Sequence, residues 1–269
     1  MDDWGADAAV NEAVCRLAGA GRISATSAQV GGPAWRSGLA ALRGLDAAHL
    51  DIGLHLDFTE HPLDAAQRRP LGPLIALALA RRLDVRALRR EIAAQLTAFE
   101  DGLGRPPAHV DGHQHVHQLP QVRDALWAEL QARYGGAQPR PWLRVSRPPR
   151  GAGWQAGGKA AVIGALGGGA LAREAAARGW PHSRRLLGIA RFDGDEDRYA
   201  AQLRGWLKDA QDGDVLMCHP ALPWNSAGGG DAIVRALQRA REAEWRVWSG
   251  PALAGWLRAA GVRVAPLGR

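Results

Sequence analysis

The 269-residue sequence predicts an α/β fold whose parallel strands close into a (β/α) barrel. Three observations carry this reading. Strand-like and helix-like segments alternate from one end of the chain to the other. No linker, repeat or low-complexity tract divides them, so residues 1–269 are expected to form one domain. No Gly-x-Gly-x-x-Gly follows a strand, which argues against an open dinucleotide-binding sheet.

Taken in order, Met1-Asp2-Asp3-Trp4-Gly5 comes first, and residues 6–20 read as a helix with Val10, Val14 and Leu17 at helical spacing. Ile23 to Val30 alternates as a strand and ends at the turn Gly31-Gly32-Pro33. Residues 34–44 are helical. Leu50 to Leu56 is a strand ending at His55, with Asp57 and Thr59 just beyond. Pro62, Pro70 and Pro73 make residues 60–80 a loop with at most a short helix.

Asp84 is placed to cap a helix to about residue 102. Val85, Leu88, Ile92, Leu96, Phe99 and Leu103 form its core-facing stripe. A His-rich strand covers 108–113, and Pro120 opens a helix over 120–134. Trp142 to Ser146 is a strand, 151–180 holds one helix, Leu186 to Ala190 is a strand and 196–210 a helix. Asp214 to Cys218 is a buried-type strand ending at His219-Pro220. Helices over 231–243 and 250–260 and a strand over Val262 to Val264 complete the pattern.

Composition narrows the function classes. The chain is 46% hydrophobic and 23% charged, which is ordinary globular composition. The net charge is +7, carried almost entirely by scattered Arg, with Lys only at positions 159 and 208. No basic block or binding motif accompanies it, so a nucleic-acid partner is not expected. Cys15 and Cys218 are far apart and in no metal-type spacing, which points to a reducing, cytoplasmic setting. No apolar run reaches membrane-spanning length.

The stretch richest in chemistry is His109-Val110-Asp111-Gly112-His113-Gln114-His115-Val116-His117. In an extended conformation all four His and Asp111 would share one face, a surface suited to a divalent metal. Asp2, Asp3, His55, His113 and His219, with Arg144, all fall where strand C-terminal ends are predicted, and such ends converge on one face of a barrel. Each residue has a plainer reading by itself: a helix cap for Asp2-Asp3, a core histidine for His55, a strand terminator for His219. Their coincidence at strand ends is what those readings leave unexplained.

These residues resemble the YdjC-like carbohydrate deacetylases. The resemblance lies in Asp2-Asp3-Trp4-Gly5, Gly53-Leu54-His55-Leu56 with Thr59, the His109–His117 stretch and Met217-Cys218-His219-Pro220, in the family's order and across nearly the whole chain. It implies a distorted TIM-like barrel related to the NodB-type polysaccharide deacetylases. It implies a metal-dependent hydrolase that removes the N-acetyl group from an acetylated amino sugar or short oligosaccharide. Asp3, His55 and His113 would bind a divalent ion, Mg2+ or Zn2+. Asp2 would be the general base, and His219 the general acid or transition-state stabiliser.

The chemistry is self-consistent. One carboxylate and two imidazoles leave coordination positions open, and an adjacent carboxylate can take a proton from water. Asp111 and His117 are expected to orient ligands, and Arg144 to pair with Asp2. The partner expected is a small carbohydrate, with homodimerisation left open.

One departure stands out. The family carries a strand before its Asp-Asp pair, whereas here Met1 directly precedes it, and a strand takes about five or six residues. Either the chain starts further upstream, or the barrel lacks its first strand and would hold Asp2 and Asp3 poorly; an upstream-extended chain is expected to melt higher. Among the eleven Trp, Trp4 and Trp224 adjoin the motifs and are the candidates for facing a sugar. The rival readings are another metal hydrolase on the same ligands (a phosphoesterase or cyclic amidase), an inactive family member, and a basic nucleic-acid-binding protein.

Overall fold

The computed structural model describes residues 1–149, 163–189, 195–223 and 232–267. Its strands are β1 (Ala25–Ala28), β2 (Asp51–Leu56), β3 (His109–Gly112), β4 (Trp142–Leu143), β5 (Leu186–Leu187) and β6 (Val215–Leu216). The α-helices are α1 (Ala8–Gly19), α2 (Trp35–Arg43), α3 (Leu71–Leu79), α4 (Val85–Leu103), α5 (Val122–Tyr134), α6 (Gly169–Ala177), α7 (Glu196–Asp209), α8 (Ala232–Ser249) and α9 (Ala252–Ala260).

The predicted α/β class is the one observed. β1 to β4 form a parallel sheet in sequence order, and β5 pairs in parallel with β6. Parallel neighbours need long crossovers, which the intervening helices supply. Every residue of β2 and β3 is buried, as expected for strands covered on both faces.

Backbone hydrogen bonds link the two sheets on both sides. Leu143 N–H donates to Pro181 O, and Ser183 N–H to Leu143 O, each at 2.9 Å. On the other side, Ser27 N–H donates to Met1 O and Trp4 N–H to Ser27 O, while Asp2 N–H donates to Cys218 O, all at 3.0 Å. Met1 to Trp4 thus fills the gap between β1 and the end of β6, and the ring of parallel segments closes. Asp2 and Asp3 are only 3% and 2% exposed. The expected poor anchoring of this pair is therefore corrected: backbone hydrogen bonds to β1 on one side and to Cys218 on the other hold it, without a full-length strand.

One hydrophobic cluster runs from Met1 to Leu253. Trp4 lies wholly inside it, so the expectation that Trp4 faces a sugar is corrected: its ring is core packing. Trp224 lies outside the described residues.

Several element boundaries differ from the sequence reading. Asp84 caps α4 as predicted, accepting from Arg86 and Ala87 N–H. The face of α4 that buries Leu88, Ile92, Leu96 and Phe99 also buries Glu91 and Gln95, which an apolar stripe does not reveal. Residues 60–80 hold a short 3-10 turn and the two-turn α3. The helix expected over 231–243 continues to Ser249. No strand forms at Val262 to Val264. Much of the predicted helix region 151–180 lies outside the described residues, and α6 occupies its later part.

The largest change is in the His-rich stretch. The strand stops at Gly112, and His113–Gln118 turns back as a 3-10 segment, with Gln114 and His115 at φ 51° and 63°. Gly112 permits the reversal, since a Cβ there would sit 2.9 Å from His117 N. Val116 at the turn's far side is fully buried. The shared face expected for His109, Asp111, His113, His115 and His117 is accordingly broken up.

Candidate metal centre and active site

The C-terminal ends of the strands bring Asp2, Asp3, His55, His113 and His219 together. Asp3 sits within the bonded N-terminal segment, at φ 70°, a conformation Asp tolerates better than most residues. Its Oδ1 lies 3.1 Å from His113 Nδ1 and 3.4 Å from His55 Nε2. One donor atom from each of the three residues lies within 4.8 Å of the others, so together they could hold a metal ion.

The donor set fits such an ion. Ligand bonds of about 2.0–2.1 Å place tetrahedral donors about 3.3 Å apart, close to the spacings found here. The tautomer of His55 is also set for it. His55 Nδ1 lies 2.6 Å from Asp111 Oδ1, which accepts its N–H and leaves Nε2 as the nitrogen that faces Asp3. Asp111 Oδ2 in turn accepts from Ser27 Oγ at 2.6 Å.

Asp2, His55 and Asp111 make a second close group. A guanidinium already serves it: Arg144 Nη1 lies 2.6 Å from Asp2 Oδ1 and 2.9 Å from Asp111 Oδ2. The expected Arg144–Asp2 pair is thus present, and Arg144 also reaches Asp111. His117 plays a different part from the one expected. Its Nε2 donates to Arg144 O at 2.7 Å, so it steadies the arginine and touches none of the three clustered donors. His109 is held by Ser27 Oγ at 3.0 Å and stacks on Trp142, and His115 Nδ1 lies 3.0 Å from Ser146 Oγ.

Electrostatics divides the groups into two kinds. Burial alone would raise the Asp2 carboxyl, yet Arg144 and then His55 bring it down to about 2. Burial likewise opposes ionised Asp3, but Arg241 and the two imidazoles hold it well below the usual range. Burial opposes charge on His55, and Asp111 with the neighbouring carboxylates raises it to about 9. That negative field is what a bound cation would share. Burial lowers His219 to about 4 despite Asp2 and Asp3, so its ring is neutral near pH 7.

His219 Nε2 lies 3.8 Å from Asp2 Oδ2. Its side chain is 15% exposed and that of His113 13%, whereas Asp2, Asp3, His55 and Asp111 are closed off. Solvent reaches the cluster at these two imidazoles, and there a small molecule would meet it.

Residues 1–259 match the sequence profile of the YdjC-like protein family. The chain belongs to that family. Among similar proteins is the carbohydrate deacetylase of Homo sapiens, 30% identical across 99% of this chain and 88% of that protein. The chitooligosaccharide deacetylase of an Enterobacter species is 32% identical over 54% of this chain and 57% of its own length. A 1.70 Å crystal structure from Enterococcus faecalis, of a protein provisionally named for cellobiose-phosphate cleavage, superposes with a TM-score of 0.68. That match covers 99% of this chain and 95% of the other at 18% identity, and it supports the fold.

Three side chains in this YdjC-like site have no counterpart in the sequence reading. Arg241 on α8 donates to Asp3 Oδ2 at 2.6 Å. Glu244, one turn later, accepts from His219 N–H at 2.7 Å. Glu60, whose side chain is 47% exposed, places Oε1 3.2 Å from His113 Nε2. It stands on a turn in which Asp57 accepts from the N–H groups of Thr59, Glu60 and His61, and Gln95 brackets Asp57 from α4. Asp57 and Thr59 were visible as polar residues beyond a strand end. Nothing marked Arg241 or Glu244 among the many charges of α8.

Proposed function

We propose that the protein is a metal-dependent N-deacetylase of acetylated amino sugars or short oligosaccharides, releasing acetate. Asp3, His55 and His113 are the metal ligands, Asp2 the general base and His219 the general acid. The observation that carries this reading is one juxtaposition: a possible two-imidazole, one-carboxylate metal cradle beside an ionised Asp2, with a neutral His219 3.8 Å from that carboxylate. The named deacetylases among its relatives supply the substrate class.

A divalent ion in the cradle, Zn2+ or Mg2+, would polarise the acetyl carbonyl and make a water more acidic. The chain's own residues do the rest. Arg144 keeps Asp2 ionised and fixes its plane, so an Asp2 oxygen can accept a proton from the attacking water. A neutral imidazole cannot protonate an amine leaving group without first gaining a proton. Asp2 Oδ2, 3.8 Å from His219 Nε2, supplies one when the two close to hydrogen-bond distance. The water oxygen bonds to the acetyl carbon, the C–N bond breaks, and the nitrogen takes the proton relayed through His219. Asp2 and His219 return to their starting states.

The reading treats residues 1–269 as one working domain, supported by the continuous core from Met1 to Leu253. It places the protein in a reducing cytoplasm, supported by the unpaired Cys15 and Cys218. No helix among the described residues is long and apolar enough to cross a membrane. The test is product analysis on a panel of N-acetylated mono- and oligosaccharides with added metal. Equal amounts of acetate and free amine are expected. Turnover of a generic phosphodiester without any acetate release would replace this reading with that of a phosphoesterase.

A further inference from the structure

One helix outside the barrel reaches both halves of the site. Arg241 and Glu244 lie three residues apart on α8 and so project from the same side of it. Arg241 takes Asp3 Oδ2, and its main-chain oxygen accepts from Ala221 N–H at 3.2 Å. Glu244 is 4% exposed and meets the main chain of His219. The Tyr199 hydroxyl on α7 acts on its carboxyl, and Trp248 Nε1 donates to that hydroxyl at 2.8 Å.

The segment that Glu244 grips begins where the sheet ends, one residue past the Cys218 carbonyl that Asp2 N–H takes. β6 ends at Leu216, and Pro220 has no N–H to give. The N–H groups of His219 and Ala221 are therefore the donors that orient this turn, the first held by Glu244 and the second by Arg241 O, and a carboxylate makes a stronger acceptor than a neutral group. A buried carboxylate is costly unless fully bonded, and a nonpolar residue would fill the same space at less cost. Here a tryptophan and a tyrosine from two helices are arranged to support it.

We infer that Glu244, supported by Tyr199 and Trp248, is a positioning residue that sets where His219 presents its ring to Asp2 and the substrate. The inference rests on the deacetylase reading, in which His219 carries the proton to the departing nitrogen. Glu244 touches neither substrate nor metal donors, so its loss should lower turnover without changing metal binding.

The experiment compares wild type, Glu244→Gln and Glu244→Ala as full chains. Zn2+ affinity is measured by calorimetric titration of metal-free protein, and kcat and KM by acetate release. Glu244→Ala is expected to lower kcat by about 10-fold or more, with KM and Zn2+ affinity within about 2-fold of wild type. Glu244→Gln keeps an acceptor oxygen and should restore most of kcat. If Glu244→Ala leaves kcat unchanged, or lowers kcat and Zn2+ affinity together, the inference is overturned. Should the alanine variant fail to fold, a Glu244→Gln enzyme with kcat as low as that of a His219→Ala enzyme would overturn it as well. If wild type releases no acetate from any sugar, the deacetylase reading fails. The positioning claim is then decided by nitrogen NMR of the His219 ring, whose resonances should shift in Glu244→Ala and stay in place in Glu244→Gln.

Discussion

Asp111 Oδ1 and His55 Nδ1 lie 2.6 Å apart in a pocket closed to solvent, and that contact fixes which nitrogen of His55 faces Asp3. Replacing Asp111 by Asn removes the carboxylate that selects this tautomer and strips Arg144 of one partner. Metal affinity should fall about 10–100-fold, the usual cost of losing such a supporting group. Titration of metal-free Asp111→Asn with Zn2+ checks this, and wild-type affinity would show that His55 needs no such orientation.

Asp2 and Arg144 make separable contributions. Asp2→Asn removes the proposed base and leaves Asp3, His55 and His113 in place. It should lower kcat by about 10²–10⁴-fold while metal still binds. Arg144→Met should lower stability as well as activity, because it strands two buried carboxylates, Asp2 and Asp111. Loss of one partner from a buried ion pair costs about 3–5 kcal/mol. Urea unfolding of the arginine variant reads this directly, and an unchanged midpoint would contradict it.

Glu244 gives the fold a pH dependence. Burial pushes its carboxyl from 4.5 up to about 7. Between those values the folded chain keeps a proton that the unfolded chain has released. Its contribution to stability is therefore complete below pH 4.5 and is lost as pH rises through about 7. Gln carries no such proton. The melting temperature of Glu244→Gln should gain on wild type between pH 4.5 and 7, by the equivalent of roughly 3 kcal/mol at most. A difference that stays constant over this range would show that Glu244 ionises normally.

The glycine of the Gly53-Leu54-His55 motif has a packing reason. A Cβ on Gly53 would lie 2.4 Å from three atoms of the His109 ring, which is clamped between β2 and Trp142. Gly53→Ala should destabilise the fold by about 1–3 kcal/mol, as overpacking in cores does. It should also disturb the Ser27 hydroxyl shared by His109 and Asp111. Calorimetric melting checks the first effect, and a wild-type melting temperature would mean the ring simply moves aside.

Much of this arrangement is legible in the sequence. Alternating patterns gave the parallel α/β class, Asp84 announced α4, and strand ends marked Asp2, Asp3, His55, His113 and His219 as neighbours. Those signals are local or follow from fold geometry. The fate of the His-rich stretch was not local. Period-two spacing fits an extended chain, but burial of Val116 and the tight contact at Gly112 reverse it after four residues. Arg241 and Glu244 were hidden for another reason: a charged residue on an amphipathic helix looks solvated until the partner 25 or 238 residues away is known. Trp4 misled because proximity to a motif in sequence says nothing of which way a ring points.

The central claim is that Asp3, His55 and His113 hold a metal that this chemistry requires. The most direct measurement is acetate release from an N-acetylglucosamine oligosaccharide by metal-stripped enzyme, before and after adding back Zn2+ or Mg2+, alongside His113→Ala. The account predicts no release from stripped protein, recovery on metal addition, and no recovery in His113→Ala. Full activity in stripped wild-type protein, or in His113→Ala, would contradict it.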